Sequence, residues 1–198
     1  MRLASLLACL LLAPHLSAAQ DTAEPLTPTS TSPRVRVVTT AGNFVIELDR
    51  NRAPLTVDAF LKYTSDGFYS GVVFHRVVPG FIAQAGGFTP DMQPKPVTEN
   101  IFNESGNGLS NLRGTVGLAR STEPHSGTSQ FYVNLADNVD LDPRPTRWGY
   151  AVFGKVVSGM DVVNKIAKSS TGSGGPFRTD VPQQPVVIES MTVVGAAK

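Results

Sequence analysis

Cysteine is almost absent from this sequence, since Cys9 is the only one among 198 residues. It lies in an apolar N-terminal stretch that we expect to be removed, so disulfides are excluded from the mature chain. Histidine is also scarce, with His75 and His125 the only two beyond that stretch. Zinc sites need clustered His, Cys or carboxylate ligands, and we therefore expect no metal and no other cofactor.

Runs of like charge are missing as well. Removal of residues 1–19 takes away Arg2 and leaves 16 basic and 16 acidic residues. Neither a basic run nor a basic stripe interleaved with aromatic residues occurs, which argues against nucleic acid and anionic membranes as partners.

The one long apolar run lies at the N-terminus, from Leu3 to Ala13, and is too short to span a bilayer. Arg2 precedes it and the small residues Ser17-Ala18-Ala19 follow it, a pattern typical of a secretory signal peptide. We predict a signal peptide over residues 1–19, cleaved after Ala19 or one residue earlier. The product would be exported, periplasmic or secreted, without membrane insertion after signal removal, and we expect a monomer.

Residues 20–33 are rich in Thr, Ser, Pro and acidic residues, so they cannot bury enough apolar surface to offset the entropy of ordering, and they predict a flexible tether. The predicted domain covers residues 34–198. Its composition favours a globular fold, with 41% hydrophobic and 17% charged residues in the whole chain. The high glycine and proline content, 18 and 15 residues, favours short strands and loops.

Hydrophobic periodicity predicts a mainly β fold. A hairpin is expected over residues 35–48, helices beginning at Pro54 and near Met160, and a long loop over residues 89–113. Further strands are predicted over residues 114–119, 129–135, 150–157 and 186–194, and a Gly/Ser loop over residues 169–176. About eight strands and two helices indicate a closed eight-stranded antiparallel barrel capped by two α-helices.

Two apolar runs flank Pro79-Gly80, a pair that favours a tight turn. Alternation along the resulting hairpin would place Phe74, Arg76 and Val78 on one face, and Ile82 and Gln84 on one face of the return strand. An arginine among apolar residues is either a salt-bridged barrel residue or a charge held ready for a ligand, and spacing alone leaves both interpretations open.

Two other kinds of functional site are excluded because the sequence lacks their motifs. A Ser-His-Asp hydrolase could be drawn from Ser129 and His75, but residues 127–131 lack the G-x-S-x-G elbow. The segment Gly172-Ser173-Gly174-Gly175 has no following Lys-Ser/Thr, so it is a surface loop rather than a phosphate loop.

Three sequence motifs follow one another along the chain. They are Phe74-His75-Arg76-Val77-Val78-Pro79-Gly80-Phe81 with Gln84 and Gly86-Gly87, then Ser129-Gln130-Phe131-Tyr132, then Val152-Phe153-Gly154-Lys155-Val156. The whole pattern, from about residue 34 to 194, resembles the cyclophilin family of peptidyl-prolyl cis-trans isomerases. It looks most like the exported bacterial members, which share the variation Trp148-Gly149-Tyr150.

The resemblance implies an enzyme that accelerates rotation about X–Pro bonds during protein folding outside the cytoplasm, with proline-containing polypeptides as partners. It implies roles for particular residues. Arg76 and Gln84 are catalytic, and the pocket for the proline ring is formed by Phe81, Ile82, Tyr132 and Leu141. The peptide main chain is held by Gln84, Gln130 and the backbone at Ala119 and Arg120, and Tyr150 stands where many members have His. His75 follows from strand alternation instead: it should point away from Arg76, so we expect it to be structural support. The alternative is a non-catalytic peptide-binding or holdase module on the same barrel.

Departures from the family pattern carry two further expectations. Cyclosporin-sensitive relatives have Trp where this chain has Asp140, so we predict weak cyclosporin binding. Ala85 and Arg120, where many relatives have Gly and Asn, are expected to alter substrate preference without removing activity.

Overall fold

The structure is a computed structural model that describes residues 31–195. The predicted signal peptide and most of the predicted tether lie outside these residues. Ten strands and two α-helices follow in chain order: β1 Arg34–Thr39, β2 Gly42–Leu48, α1 Pro54–Ser65, β3 Phe74–Val78, β4 Ile82–Ala85, β5 Thr115–Leu118, β6 Phe131–Asn134, β7 Val152–Ser158, α2 Met160–Ala167, β8 Thr171–Gly174, β9 Phe177–Pro182 and β10 Ile188–Val194. A single 3-10 turn, Val139–Leu141, lies between β6 and β7.

Eight of these strands form one antiparallel sheet in the order β10-β1-β2-β7-β5-β6-β4-β3. Within residues 31–195 no ladder pairs its end strands, β3 and β10, and the two ends meet through a bridge between Val73 and Val187. β9 lies against β3. The first residue of β10, Ile188, donates a backbone hydrogen bond to Val72, which comes just before β3 in the chain. The prediction of a mainly β fold with two helices is confirmed, but the closed barrel is corrected to a curled, open sheet.

The core lies inside this curled sheet because the strands alternate buried and partly exposed residues. Val35 and Val37 of β1 and Phe44 and Ile46 of β2 are all fully buried. The two helices cover the core with their apolar sides, and Phe60 of α1 packs its ring on several other buried aromatic rings. Neither helix of residues 31–195 is long and apolar enough to cross a membrane.

The first turn of α1 is capped by a residue distant in sequence. Its N-cap, Ala53, offers no side-chain acceptor. The carboxylate of Glu104 instead accepts hydrogen bonds from the backbone N–H groups of Leu55 and Thr56, at 3.0 and 2.8 Å, and from the Thr56 hydroxyl at 2.6 Å. A carboxylate at a helix N-terminus also interacts favourably with the helix dipole. This contact anchors the long loop between β4 and β5, whose later part approaches the candidate site.

The expectation for residues 169–176 is wrong. This segment forms β8 and the turn into β9, and the two strands make a separate two-stranded sheet. Gly has low β propensity and β8 has two glycines among its four residues, so the local pattern carried no strand signal. Backbone pairing within the hairpin and packing of β9 against β3 stabilise it instead.

Candidate active site

Three neighbouring strands bring the predicted catalytic residues into one row. Gly80 has φ +74°, which a tight turn after Pro79 requires, and this turn sets the register of β3 and β4. Arg76 of β3 is paired with Gln84 of β4, and Gln84 is paired with Tyr132 of β6. The guanidinium, the amide and the phenol therefore follow one another across the sheet.

Alternation along β3 is broken next to Arg76. The register with β4 shifts between Phe74 and Arg76, so that His75 is an extra residue. Phe74 is consequently buried in the core while Arg76 lines a surface cavity. The expectation that these two side chains share a face is wrong, because a bulge is not visible in a hydrophobic pattern.

The row continues to Gly117 of β5, which is paired with Tyr132. A Cβ atom at Gly117 would lie 2.3 Å from the Tyr132 phenol oxygen, so the ring can lie across β5 only because residue 117 has no side chain. The phenol reaches Asn111 in the long loop and donates a hydrogen bond to Oδ1 at 2.7 Å. Burial raises the pKa of Tyr132 well above its ordinary value, so the phenol stays neutral.

The amides of Gln84 and Gln130 contact each other next to the row. Gln84 Nε2 donates to Gln130 Oε1 at 2.9 Å. Gly87 leaves the space that Gln130 occupies, because a Cβ there would lie 2.6 Å from the Gln130 side chain. The backbone N–H of Ala119 is already used, since it donates to the Gln130 carbonyl at 2.9 Å.

Loops complete the wall opposite the hairpin. The N–H of Tyr150 donates to the Leu141 carbonyl at 2.9 Å, and both residues line the same cavity. The Arg120 guanidinium lies 4.4 Å from the centre of the Tyr150 ring. It donates to the carbonyls of Gly149 and Trp148 at 3.1 and 2.8 Å, and also to Ser121 and Thr122 of its own loop.

These elements enclose a cavity of about 230 Å³. Nine of the predicted residues line it: Arg76, Phe81, Ile82, Gln84, Ala119, Arg120, Tyr132, Leu141 and Tyr150. Of the other two predicted site residues, Gln130 contacts Gln84, and neither Gln130 nor His75 lines the cavity. Apolar side chains, from Phe81, Ile82 and Leu141, line this cavity together with polar groups that include the guanidiniums of Arg76 and Arg120 and the amide of Gln84. Such a mixture suits a small apolar ring attached to a polar backbone.

Comparison with known proteins agrees with this geometry. Residues 34–193 match the family described as cyclophilin type peptidyl-prolyl cis-trans isomerase/CLD. The chain belongs to this family.

Relatives of similar length support the assignment. The chain is 48% identical over 165 residues to peptidyl-prolyl cis-trans isomerase A of Dickeya dadantii, covering 83% of this chain and 86% of the relative. It is 48% identical over 158 residues to peptidyl-prolyl cis-trans isomerase B of Escherichia coli, covering 78% and 96%. The prediction of an enzyme of the prolyl isomerase class is thus confirmed.

Solved structures show the same fold at lower identity. A Cryptosporidium parvum cyclophilin type peptidyl-prolyl cis-trans isomerase has a TM-score of 0.69 and 21% identity, covering 84% of this chain and 99% of that one. A second structure of that protein, in the presence of the dipeptide Ala-Pro, has a TM-score of 0.67, 22% identity and coverage of 83% and 99%.

His75 has an environment unlike that of the cavity residues of this cyclophilin. Its ring is buried and lies 4.7 Å from the Phe88 ring and 5.6 Å from the Phe177 ring. Burial, with a smaller contribution from the neighbouring Arg76 charge, lowers its pKa to about 4. His75 is therefore neutral at pH 7, and its ring packs against Phe88 and Phe177 rather than lining the cavity.

Arg76 combines the two interpretations that the spacing left open. Its Cζ lies 6.0 Å from the centre of the Phe81 ring at the cavity. Its Nε also lies 3.8 Å from Oδ2 of Asp180 on β9. The arginine is thus both a cavity residue and the partner of a carboxylate.

Sequence reasoning missed several residues that shape the site. Asn111 and Asp142 hold Tyr132 from behind, Gly117 makes room for it, and Asp180 faces Arg76. Asn111 and Asp180 come from a loop and from the unpredicted hairpin, so no local pattern pointed to them. The pairing of residues 117 and 132 could have been proposed from two aligned strands, had their register been known.

Proposed function

We propose that this cyclophilin catalyses cis-trans isomerisation of X–Pro peptide bonds, with Arg76 as the hydrogen-bond donor to the twisting imide. Relatives that are about 48% identical over most of the chain carry the name of this activity. The observation on which the proposal rests is the placement of the Arg76 guanidinium and the Gln84 amide in one small cavity with the apolar side chains of Phe81, Ile82 and Leu141.

The reaction needs no covalent intermediate. Resonance in the X–Pro amide sets a rotation barrier of about 18–20 kcal/mol. At 20 kcal/mol the rate is on the order of 0.01 per second, and reaching about 1,000 per second requires lowering the barrier by about 7 kcal/mol.

Arg76 can lower this barrier selectively. In the twisted transition state the imide nitrogen regains a lone pair and becomes an acceptor, whereas the planar ground state offers little to a donor. A fixed guanidinium therefore binds the transition state more strongly than the substrate. Arginine suits this role because it remains charged and its donors are planar and preorganised.

The other residues hold the two sides of the rotating bond. The apolar residues Phe81, Ile82 and Leu141 and the ring of Tyr132 receive the proline ring. Gln84, held by Gln130, offers an amide to the peptide main chain. With the ring fixed in the cavity, rotation is confined to the carbonyl on its N-terminal side.

The test is cis-to-trans relaxation of a short X–Pro peptide, followed by NMR exchange. We expect wild type to accelerate relaxation and Arg76→Ala to lose at least about 100-fold of that acceleration, as for removal of a transition-state donor. Arg50→Ala is the matched control, since Arg50 pairs with Asp58 away from the cavity. Peptide binding without acceleration by wild type would contradict an enzyme and favour a holdase or peptide-binding module.

We further propose that the protein acts on folding polypeptides outside the cytoplasm. The pattern of residues 1–19, a basic residue, an apolar core and small residues, supports this location. Cell fractionation and intact-mass measurement test it: we expect the exported fraction to hold a chain shortened by residues 1–19 or 1–18. A full-length chain confined to the cytoplasm would contradict it.

A further inference from the structure

We propose that Asp180 is a positioning residue that orients the Arg76 guanidinium for catalysis. This inference rests on the proposed function of Arg76. It assigns a task to the β8–β9 hairpin, which belongs to a separate two-stranded sheet outside the main one.

The contact has a direction that suits this task. Asp180 Oδ2 lies 3.8 Å from Nε of Arg76, which is the nitrogen nearest the backbone. A carboxylate on the Nε side leaves the two terminal nitrogens to be directed elsewhere. The guanidinium also lies near the Phe81 ring, so it is placed between a carboxylate and an aromatic group.

The hairpin is anchored where this contact is made. Phe177, at the start of β9, packs against Phe88 at 5.0 Å and against the buried His75 ring at 5.6 Å. β9 is therefore fixed to β3 next to Arg76, and the position of Asp180 follows from packing rather than from the exposed ion pair.

The backbone at Asp180 is unusual for a residue with a side chain. Its φ is +70°, in the left-handed region that favours glycine. Asp and Asn are the side chains that adopt this region most readily. A carboxylate thus stands at a position where the backbone alone would favour glycine, and this pattern is found where a side chain is needed for function.

Stability is not the main effect that this pair can have. The two side chains are 37% and 35% exposed, and exposed ion pairs contribute little to folding. An arginine side chain has several rotatable bonds, however, and its catalytic value depends on how often its donors face the substrate. Asp180 increases that fraction by removing alternative orientations.

The first experiment compares Asp180→Asn, Asp180→Glu and Asp180→Gly in the X–Pro relaxation assay on the full chain. We expect Asp180→Asn, which keeps the shape and tolerates the backbone, to reduce kcat by about 3- to 5-fold with little change in KM. Asp180→Gly should reduce kcat equally. Its Tm should stay the same or rise, because glycine adopts the φ of +70° at this position without strain. Asp180→Glu should recover part of the rate. Asp58→Asn, which removes the carboxylate of another arginine pair, should keep the wild-type rate.

A double-mutant cycle separates positioning from general damage. Asp180→Asn should have no further effect when Arg76 is already Ala, with the residual rate measured at higher enzyme concentration. The same fall in both backgrounds, or wild-type kcat for Asp180→Asn, would overturn the positioning role. If Arg76→Ala itself relaxes the peptide at the wild-type rate, the failure lies in the proposed function instead.

Discussion

The phenol of Tyr132 donates to Asn111 across 2.7 Å, and this bond joins the floor of the cavity to the long loop between β4 and β5. Asn111 is itself fully buried and is held by Asp142, whose Oδ1 accepts from both its backbone and side-chain nitrogens at 2.8 Å. Desolvation alone would raise the pKa of Asp142, but the hydrogen bonds from Ser110 and Asn111 together lower it below its ordinary value, so its carboxylate stays charged. The ring of Tyr132 is therefore positioned by a series of hydrogen bonds that runs from Asp142 through Asn111, both of which lie outside the sheet.

Substitutions at Tyr132 and Asn111 should separate effects on stability from effects on activity. Tyr132→Phe keeps the ring and loses one hydrogen bond, so we expect about 1 kcal/mol lower free energy of unfolding and a nearly unchanged kcat/KM. Asn111→Ala leaves buried partners unsatisfied and should cost about 2–3 kcal/mol. Urea unfolding and peptide relaxation measure both effects. A large loss of kcat in Tyr132→Phe would instead assign the hydroxyl a direct catalytic role.

The absence of a side chain at residue 117 leaves room for the ring of Tyr132, which lines the cavity. In Gly117→Ala the new Cβ would meet the Tyr132 ring at 2.3 Å and force it toward the space for the proline ring. We expect KM to rise several-fold and stability to fall by about 1–3 kcal/mol. Gly106→Ala is the control, since a Cβ there meets no atom within 4 Å. Equal KM values for wild type and Gly117→Ala would show that the ring can move without narrowing the cavity.

The outcome of the sequence predictions follows from how local each feature is. The opening hairpin and both helices were predictable, because alternation in β1 and β2 and the proline at the start of α1 act within a few residues. The nine cavity residues also meet as the family motifs implied, although their individual roles remain predictions.

The misses have tertiary causes. The bulge at His75 and the β8–β9 hairpin depend on pairing with other strands, and local residue types do not encode either. Asp180 could be found only once that hairpin was placed beside Arg76.

Arg120 joins two loops, and its removal should affect binding more than the chemical step. Its guanidinium donates to carbonyls of residues 121, 122, 148 and 149 and lies over Tyr150. Arg120→Lys keeps the charge but lacks the planar set of donors. We therefore expect Arg120→Lys and Arg120→Ala to raise KM by similar factors, with kcat reduced less. Full function in Arg120→Lys but not in Arg120→Ala would show that charge alone matters.

Cyclosporin binding should be weak for a structural reason. Asp140, which stands where sensitive relatives have Trp, lies in the 3-10 turn with its side chain 88% exposed and paired with Arg144. The residue just before Leu141 therefore presents a carboxylate and not an indole. Inhibition of peptide relaxation measures the affinity, and Asp140→Trp should bind cyclosporin more tightly than wild type, whereas Asp140→Asn should not. Submicromolar inhibition of wild type would contradict the prediction.

His75 should make the protein sensitive to acid. Its pKa is lowered to about 4 in the folded protein, mainly by burial, against about 6.5 in the unfolded chain. Between these two values the unfolded chain binds the proton and the folded protein does not, so the free energy of unfolding decreases as pH falls from about 6.5 to about 4. The difference between these two pKa values corresponds to about 3 kcal/mol in the free energy of unfolding. This stability is fully present above about pH 6.5 and is lost as the pH falls to about 4.

Urea unfolding of His75→Leu and wild type between pH 4 and pH 7 checks this effect. Any packing cost of Leu lowers stability equally at every pH, whereas the loss of the titrating ring reduces the slope. His75→Gln, which also lacks a titrating ring, should show the same reduced slope as His75→Leu. Equal slopes for wild type and His75→Leu would contradict the prediction. They would mean that other groups account for the acid sensitivity and that protonation of His75 does not lower the free energy of unfolding.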